Sequence, residues 1–215
     1  MLRYIYADQL KNFPKLRDTM FRDRADQFRE RLNWEVSVDE NGYETDEYDA
    51  HNPLYVIWEM PDGTHGGSMR FLPTTGPVMV NDHFSEVMGG GEVVSPLIWE
   101  CTRFCLTRSA PAHVAAALML GGGEIMRGLG IVQFVGVFDA RMVRIYRMIG
   151  ASPEVLGTVG EGRDQISVGL WDFSPEAQAR VAQRAGIRPE QSLHWFETAF
   201  GRAETGPEQP LLAIA

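Results

Sequence analysis

Residues 131–138 (IVQFVGVF) constrain the fold more than any other stretch of the chain. Only Gln133 in it is polar, and the branched and aromatic residues do not alternate with polar ones. Such a run reads as a strand buried on both faces, which needs helices above and below the sheet that contains it. The flanking segments suit that role. PAHVAAALMLGGGEIMRGLG (111–130) reads as a helix interrupted or ended by glycine, and DARMVRIYRMIG (139–150) reads as a second helix.

The other elements follow from local pattern. LRYIY (2–6) is a short strand, and residues 9–30 are helical, with Leu16, Phe21 and Phe28 near helical spacing. Residues 31–52 are acidic and irregular, and LYVIWE (54–59) and GSMRFL (67–72) are strands joined by a PDGTHG turn. Residues 73–96 are loop with a short helix at HFSEVM, and IWECTRFCLT (98–107) is a strand. VLGTVG and QISVGLWDF are strands, and SPEAQARVAQRAG is a helix with Ser174 as N-cap and Pro175 at its first position. This order describes one mixed α/β domain over residues 1–215, a central sheet flanked by helices.

Composition excludes several classes. No stretch reaches the roughly 18–20 apolar residues of a membrane span. The N-terminus lacks a signal core, so a soluble, cytoplasmic protein is expected. A net charge of −9 argues against nucleic-acid binding. In a strand, Cys101 and Cys105 stand roughly 13 Å apart, beyond the about 7 Å a disulfide spans. The histidines show no ligand spacing, so no metal and no cofactor is expected.

Polar residues of a second kind are spread along the first half of the chain. Phe21, Arg24 and Phe28 share a helix face, Trp34 follows, and ETDEYD carries Asp46 and Asp49. Arg70 lies in one strand, and Glu100, Arg103 and Phe104 lie in another. Taken singly, each is an ordinary surface charge or core aromatic. Their joint order, in FRDRADQFRERLNWEVSVDENGYETDEYD, SMRFLPT and WECTRF, resembles the LuxI-type acyl-homoserine lactone (autoinducer) synthase family. The resemblance is strong over residues 1–108 and collinear through 131–150.

The resemblance implies a GNAT-like sheet with a V-shaped cleft between its central strands. It implies an acyltransferase that joins S-adenosylmethionine to an acyl thioester, releases methylthioadenosine and closes a lactone. Glu100 is then the candidate general base, directly or through water, with Arg103 beside it. Arg24, Phe28, Trp34, Asp46, Asp49, Arg70 and Phe104 would bind S-adenosylmethionine. The arginines would either hold its carboxylate or pin the aspartates. Glu100 and Arg103 face opposite sides of a regular strand, so a bulge must shift the phase, or Arg103 is structural behind the sheet.

Cys101, Gly136, Phe138 and Met142 would form the acyl pocket, with Gly136 where synthases preferring 3-oxo chains often carry threonine. The usual donor is acyl-acyl carrier protein, an acidic partner for a stripe of Arg141, Arg144 and Arg147. An acyl-CoA donor, and a GNAT-type N-acyltransferase acting on another amine, remain alternatives. The glycine-free TRSAPAH turn counts against acetyl-CoA.

Overall fold

A computed structural model describes residues 1–201. Seven strands, β1 (Leu2–Tyr6), β2 (Leu54–Glu59), β3 (His65–Pro73), β4 (Ile98–Leu106), β5 (Gln133–Asp139), β6 (Glu154–Val159) and β7 (Ile166–Asp172), form one sheet. Their order is β1-β2-β3-β4-β5-β7-β6. Every neighbouring pair is antiparallel except β4 and β5, which run parallel. That pair holds together only where Ile98–Glu100 lie beside Gln133–Val135. Beyond Glu100 the two strands part, which gives the V expected from the resemblance.

Helices α1 (Pro14–Ala25), α2 (Met79–Phe84), α3 (Val114–Leu129), α4 (Ala140–Ile149), α5 (Pro175–Ala185) and α6 (Pro189–Phe200) complete the layers. One face of the sheet packs Leu2, Val56, Met69, Phe71 and Phe134 against α3 and α6. The opposite face packs Ile5, Tyr55 and Ile57 against α1, and Leu72, Val135 and Val168 against α2 and Tyr48. Strand β5 is thus covered on both sides, as its apolar run requires. No helix among the described residues is long and apolar enough to cross a membrane.

Three elements differ from expectation. The helix expected over 9–30 is three pieces: a 3-10 turn (Ala7–Asn12), α1, and a π-turn (Asp26–Arg31). Pro14 restricts Phe13 to a non-helical conformation and opens α1 at its own first position. Helix α2 begins at Met79, ahead of the HFSEVM segment, whose last residues form a 3-10 turn (Ser85–Met88). Helix α6, unannounced by the sequence, seats Phe196 against Tyr4 at 5.3 Å between ring centroids.

Helix α3 runs unbroken through its glycine triplet and ends at Gly130, which has φ +69°. The triplet is one place where α3 lies close against its neighbours. A Cβ on Gly121 would lie 2.7 Å from Val56 Cγ1, and one on Gly123 would lie 1.8 Å from Gln178 Oε1. Close approach to the sheet at Gly121 and Gly122, and to α5 at Gly123, offsets the roughly 1 kcal/mol of helix propensity each glycine forfeits. Gly121→Val is expected to push α3 off β1 and β2 and to cost about 1–3 kcal/mol, read as a lower midpoint in urea unfolding.

Candidate active site

The acidic segment after the π-turn is held in one shape by its own side chains. Asp46 Oδ1 accepts from the backbone N–H groups of Tyr48 and Asp49, while Asp49 Oδ2 accepts from that of Asp46. This capping box fixes the 3-10 turn Glu47–His51 and aims Asp46 and Asp49 at the sheet. Three arginines from three elements meet them.

Arg24 of α1 donates to Asp49 through both terminal nitrogens, at 3.0 and 2.9 Å, and to Glu44 at 2.6 Å. Arg70 of β3 pairs with both oxygens of Asp46, reaches Asp49 at 3.0 Å, and donates from Nε to Thr102 Oγ1 at 3.1 Å. Arg103 of β4 bridges Glu44 at 3.0 Å and Asp46 at 2.7 Å. Three guanidinium groups therefore face three carboxylates. Arg24, Arg70 and Glu44 are fully buried, whereas the Asp46 and Arg103 side chains each retain 11% exposure.

Arg103 reaches this cluster because β4 bulges. Ser68 opposes Cys105 and Arg70 opposes Thr102, so Met69 alone faces the pair Arg103 and Phe104. Arg103 takes φ +53°, a left-handed conformation rare for a long side chain. The extra residue puts Thr102 and Arg103 successively on the acidic side, and Phe104 and Leu106 on the α3 side. The phase shift demanded by the sequence is present, and Glu100 and Arg103 share a face.

Glu100 is 1% exposed and accepts from the backbone N–H groups of Val80, at 2.6 Å, and Met79, at 3.2 Å. It takes the capping place that Val78 cannot fill at the start of α2. Burial pushes its carboxyl up to about 7, against the opposing pull of those N–H groups and of Arg70. A carboxyl titrating there can take up a proton near neutrality.

Between the parted strands lies a cavity of about 800 Å³. At one end are Asp46, Arg103 and the rings of Phe28 and Trp34, stacked with centroids 5.2 Å apart and planes 7° apart. The Arg103 guanidinium lies 5.4 Å from the Phe28 centroid. At the other end an apolar chamber is bounded by Met119 and Met126 of α3, Phe134, Trp171 and Val181.

The expected residues fall into groups. Phe28, Trp34, Asp46, Cys101, Arg103, Phe104, Gly136, Phe138, Arg141 and Met142 line the cavity. Phe104 does so from the chamber side, packed with the α3 cluster. Arg24, Asp49, Arg70 and Glu100 stand behind the wall, where the arginines pin carboxylates. Arg144 and Arg147 are exposed on α4. A Cβ on Gly136 would lie 2.9 Å from the Cys101 carbonyl oxygen and 3.2 Å from Trp171, so a larger residue needs both to shift. Cys101 and Cys105 are free thiols, and burial raises both.

Sequence reasoning missed Glu44, the hub between Arg24 and Arg103. Its signal was its place two residues before Asp46, on the same side of an extended ETD segment. Thr102 and Gln27 were also missed, because only the folded register shows what they touch.

Burial alone would raise the Asp49 carboxyl, but the Arg24 charge and hydrogen bonds, with Arg70 and Tyr55, hold it well below the usual carboxylate range. Folding lowers this pKa, so the stabilisation is present above the ordinary value of 3.8 and is lost as pH falls below it. Asp49→Asn is expected to cost about 3–5 kcal/mol at pH 7 by leaving Arg24 and Arg70 underpaired. Urea unfolding at a series of pH values should show that deficit shrinking below pH 4.

With this geometry in place, comparison with known proteins is direct. The model of the autoinducer synthase family matches residues 8–181. The chain is 40% identical over 183 residues to an acyl-homoserine-lactone synthase of Rhizobium etli, covering 82% of this chain and 86% of that one. Its fold is similar to that of MesI, a CoA-dependent acyl-homoserine lactone synthase, with TM-score 0.77 and 26% identity over 87% of this chain and 96% of the other. It also matches the fold of BjaI, a CoA-dependent acyl-homoserine lactone synthase solved with SAM and isopentyl-CoA, with TM-score 0.78 and 24% identity over 87% and 90% of the two chains. Matched over most of its length in sequence and in GNAT-like fold, this chain belongs to the autoinducer synthase family.

Proposed function

We propose that the protein makes an N-acyl-homoserine lactone from S-adenosylmethionine and an acyl thioester, releasing methylthioadenosine. The observation that carries this reading is a single cleft with a paired acid and base at one end and an apolar chamber at the other. S-adenosylmethionine is a zwitterion with an added sulfonium. Asp46 and Arg103, side by side on the wall, offer its ammonium an anion and its carboxylate a cation. Phe28 and Trp34 offer aromatic faces to the sulfonium or the adenine.

In the first step the amine nitrogen attacks the thioester carbonyl, a C–N bond replaces the C–S bond, and the thiol leaves. Glu100 is assigned as the base that removes the amine proton, through a water or a small displacement of Met79. In the second step a carboxylate oxygen attacks the γ-carbon. That carbon's bond to sulfur breaks, its electrons neutralise the sulfonium, and methylthioadenosine departs. Holding the methionine chain folded supplies most of this second barrier reduction.

The acyl chain is assigned to the chamber lined by Cys101, Gly136, Phe138 and Met142. The donor is assigned as acyl-acyl carrier protein, supported by the exposed Arg141, Arg144 and Arg147 on α4. A CoA donor is the second reading, favoured by the likeness to MesI.

The test is incubation with S-adenosylmethionine and a panel of acyl-carrier-protein and acyl-CoA thioesters, followed by mass spectrometry. Lactone with equimolar methylthioadenosine is expected, and acyl transfer to another amine without lactone would overturn the reading. The Arg144→Glu, Arg147→Glu double variant is expected to lose about tenfold in kcat/KM with carrier-protein donors while CoA donors are unaffected. Because Glu100 acts deprotonated, activity should rise with pH through a limb near 7. Glu100→Gln should abolish that limb and lower turnover by about 100-fold or more.

A further inference from the structure

Strand β4 loses its neighbour after Glu100, yet the free edge of its outer half is not bare. The edge groups there are those of Phe104 and Leu106, because Cys105 opposes Ser68 and Thr107 N–H bonds Gly66 on the β3 side. The side-chain amide of Gln27 meets both. Its Nε2 donates to the Phe104 carbonyl at 3.1 Å, and its Oε1 accepts from the Leu106 N–H at 3.3 Å. Donating to residue i and accepting from i+2 is the pattern a neighbouring strand would make.

The Gln27 amide is itself braced. Arg31 donates to Gln27 Oε1 at 3.1 Å and to the Leu106 carbonyl at 3.4 Å, and Arg108 pairs with Asp26 across the same junction. Asp26, Gln27 and Arg31 all sit on the π-turn Asp26–Arg31, a widened turn of the kind found at functional sites. Gln27 also lines the cavity.

We infer that Gln27 is a positioning residue that substitutes for the missing strand beside β4 and so sets the width of the cleft for the acyl donor. The β4 segment it clamps carries Arg103 on one face and Phe104 and Leu106 on the other, the latter two on the chamber side. If the clamp is released, this wall can shift and the donor meets a cleft of undefined width. S-adenosylmethionine, held at the braced acidic cluster, is affected far less. The kinetic part of this inference rests on the lactone-synthase reading, and the exchange part does not.

Two variants of the full chain separate the possibilities. Gln27→Met keeps length and helix propensity but makes neither bond, whereas Gln27→Glu can accept from Leu106 and cannot donate to Phe104 when ionised. In hydrogen exchange, the Leu106 amide is expected to exchange about tenfold faster in Gln27→Met and to stay protected in Gln27→Glu.

In steady state, both variants are expected to raise KM for the acyl donor by about tenfold, with KM for S-adenosylmethionine within about twofold of wild type. Preference among acyl lengths should flatten in both. Unchanged exchange at Leu106 in Gln27→Met would overturn the clamp. Faster exchange with both KM values unchanged, or raised equally, would leave a purely structural bond and overturn the positioning role. If wild-type protein makes no lactone, the functional reading fails, while the exchange result still decides the clamp.

Discussion

Strands β4 and β5 stay together for one short parallel ladder and then separate, and much of the molecule answers that separation. A strand that leaves its neighbour inside a protein exposes backbone N–H and C=O groups whose burial without partners is costly. Each strand keeps its other neighbour, β3 on β4 and β7 on β5, so the V is held open from outside. At the apex Gly136 lets β5 pass beneath the Cys101 carbonyl, where any side chain would collide. Further out the Gln27 amide takes the place of the absent strand. The space between becomes a cavity that crosses the sheet and joins its two faces.

The acidic cluster beside that cavity is an expensive way to build a wall. Removing a guanidinium and a carboxylate from water costs several kcal/mol per ion, and well-packed apolar residues often do as well or better. Arg24 and Arg70 recover the cost only because five of their six nitrogens find a carboxylate at hydrogen-bond distance, the sixth donating to Thr102. Such a network is hard to explain by stability alone. It does fix where Asp46 and Arg103 stand, the two members with exposure to the cavity. Arg24 and Arg70 act on that pair from behind, which is the pinning alternative left open by the sequence.

Features that depend on local pattern were legible in the sequence. The doubly buried β5, the strands on either side of the PDGTHG turn, and the Ser174 cap with Pro175 all rest on a few adjacent residues. The family motif fixed the membership of the acidic cluster, except for Glu44. What could not be read depends on residues far apart. The left-handed Arg103 has no propensity signal, since arginine is not a residue that favours positive φ, and its partner Glu44 is 59 positions away. Gln27 lies 77 residues before the carbonyl it bonds. Pro14 did mark the start of α1, but the spacing of Leu16, Phe21 and Phe28 masked the widened turn that follows.

The bulge shows why one inserted residue is enough to serve two ends of a reaction. In a regular strand, alternation would send Arg103 to the α3 side, among Met119, Met126 and Phe134, where an unpaired charge is costly to bury. The insertion sends it to Glu44 and Asp46 and leaves Phe104 facing the chamber. A single strand therefore carries the charged wall on one face and the apolar wall on the other, within consecutive residues. Under the proposed assignment, two substrates that share no chemistry would meet across one backbone, the zwitterion on its polar side and the acyl chain on its apolar side. The β4 backbone would then set the distance between them, and the approach of the reacting nitrogen to the carbonyl carbon would depend on where that backbone is held.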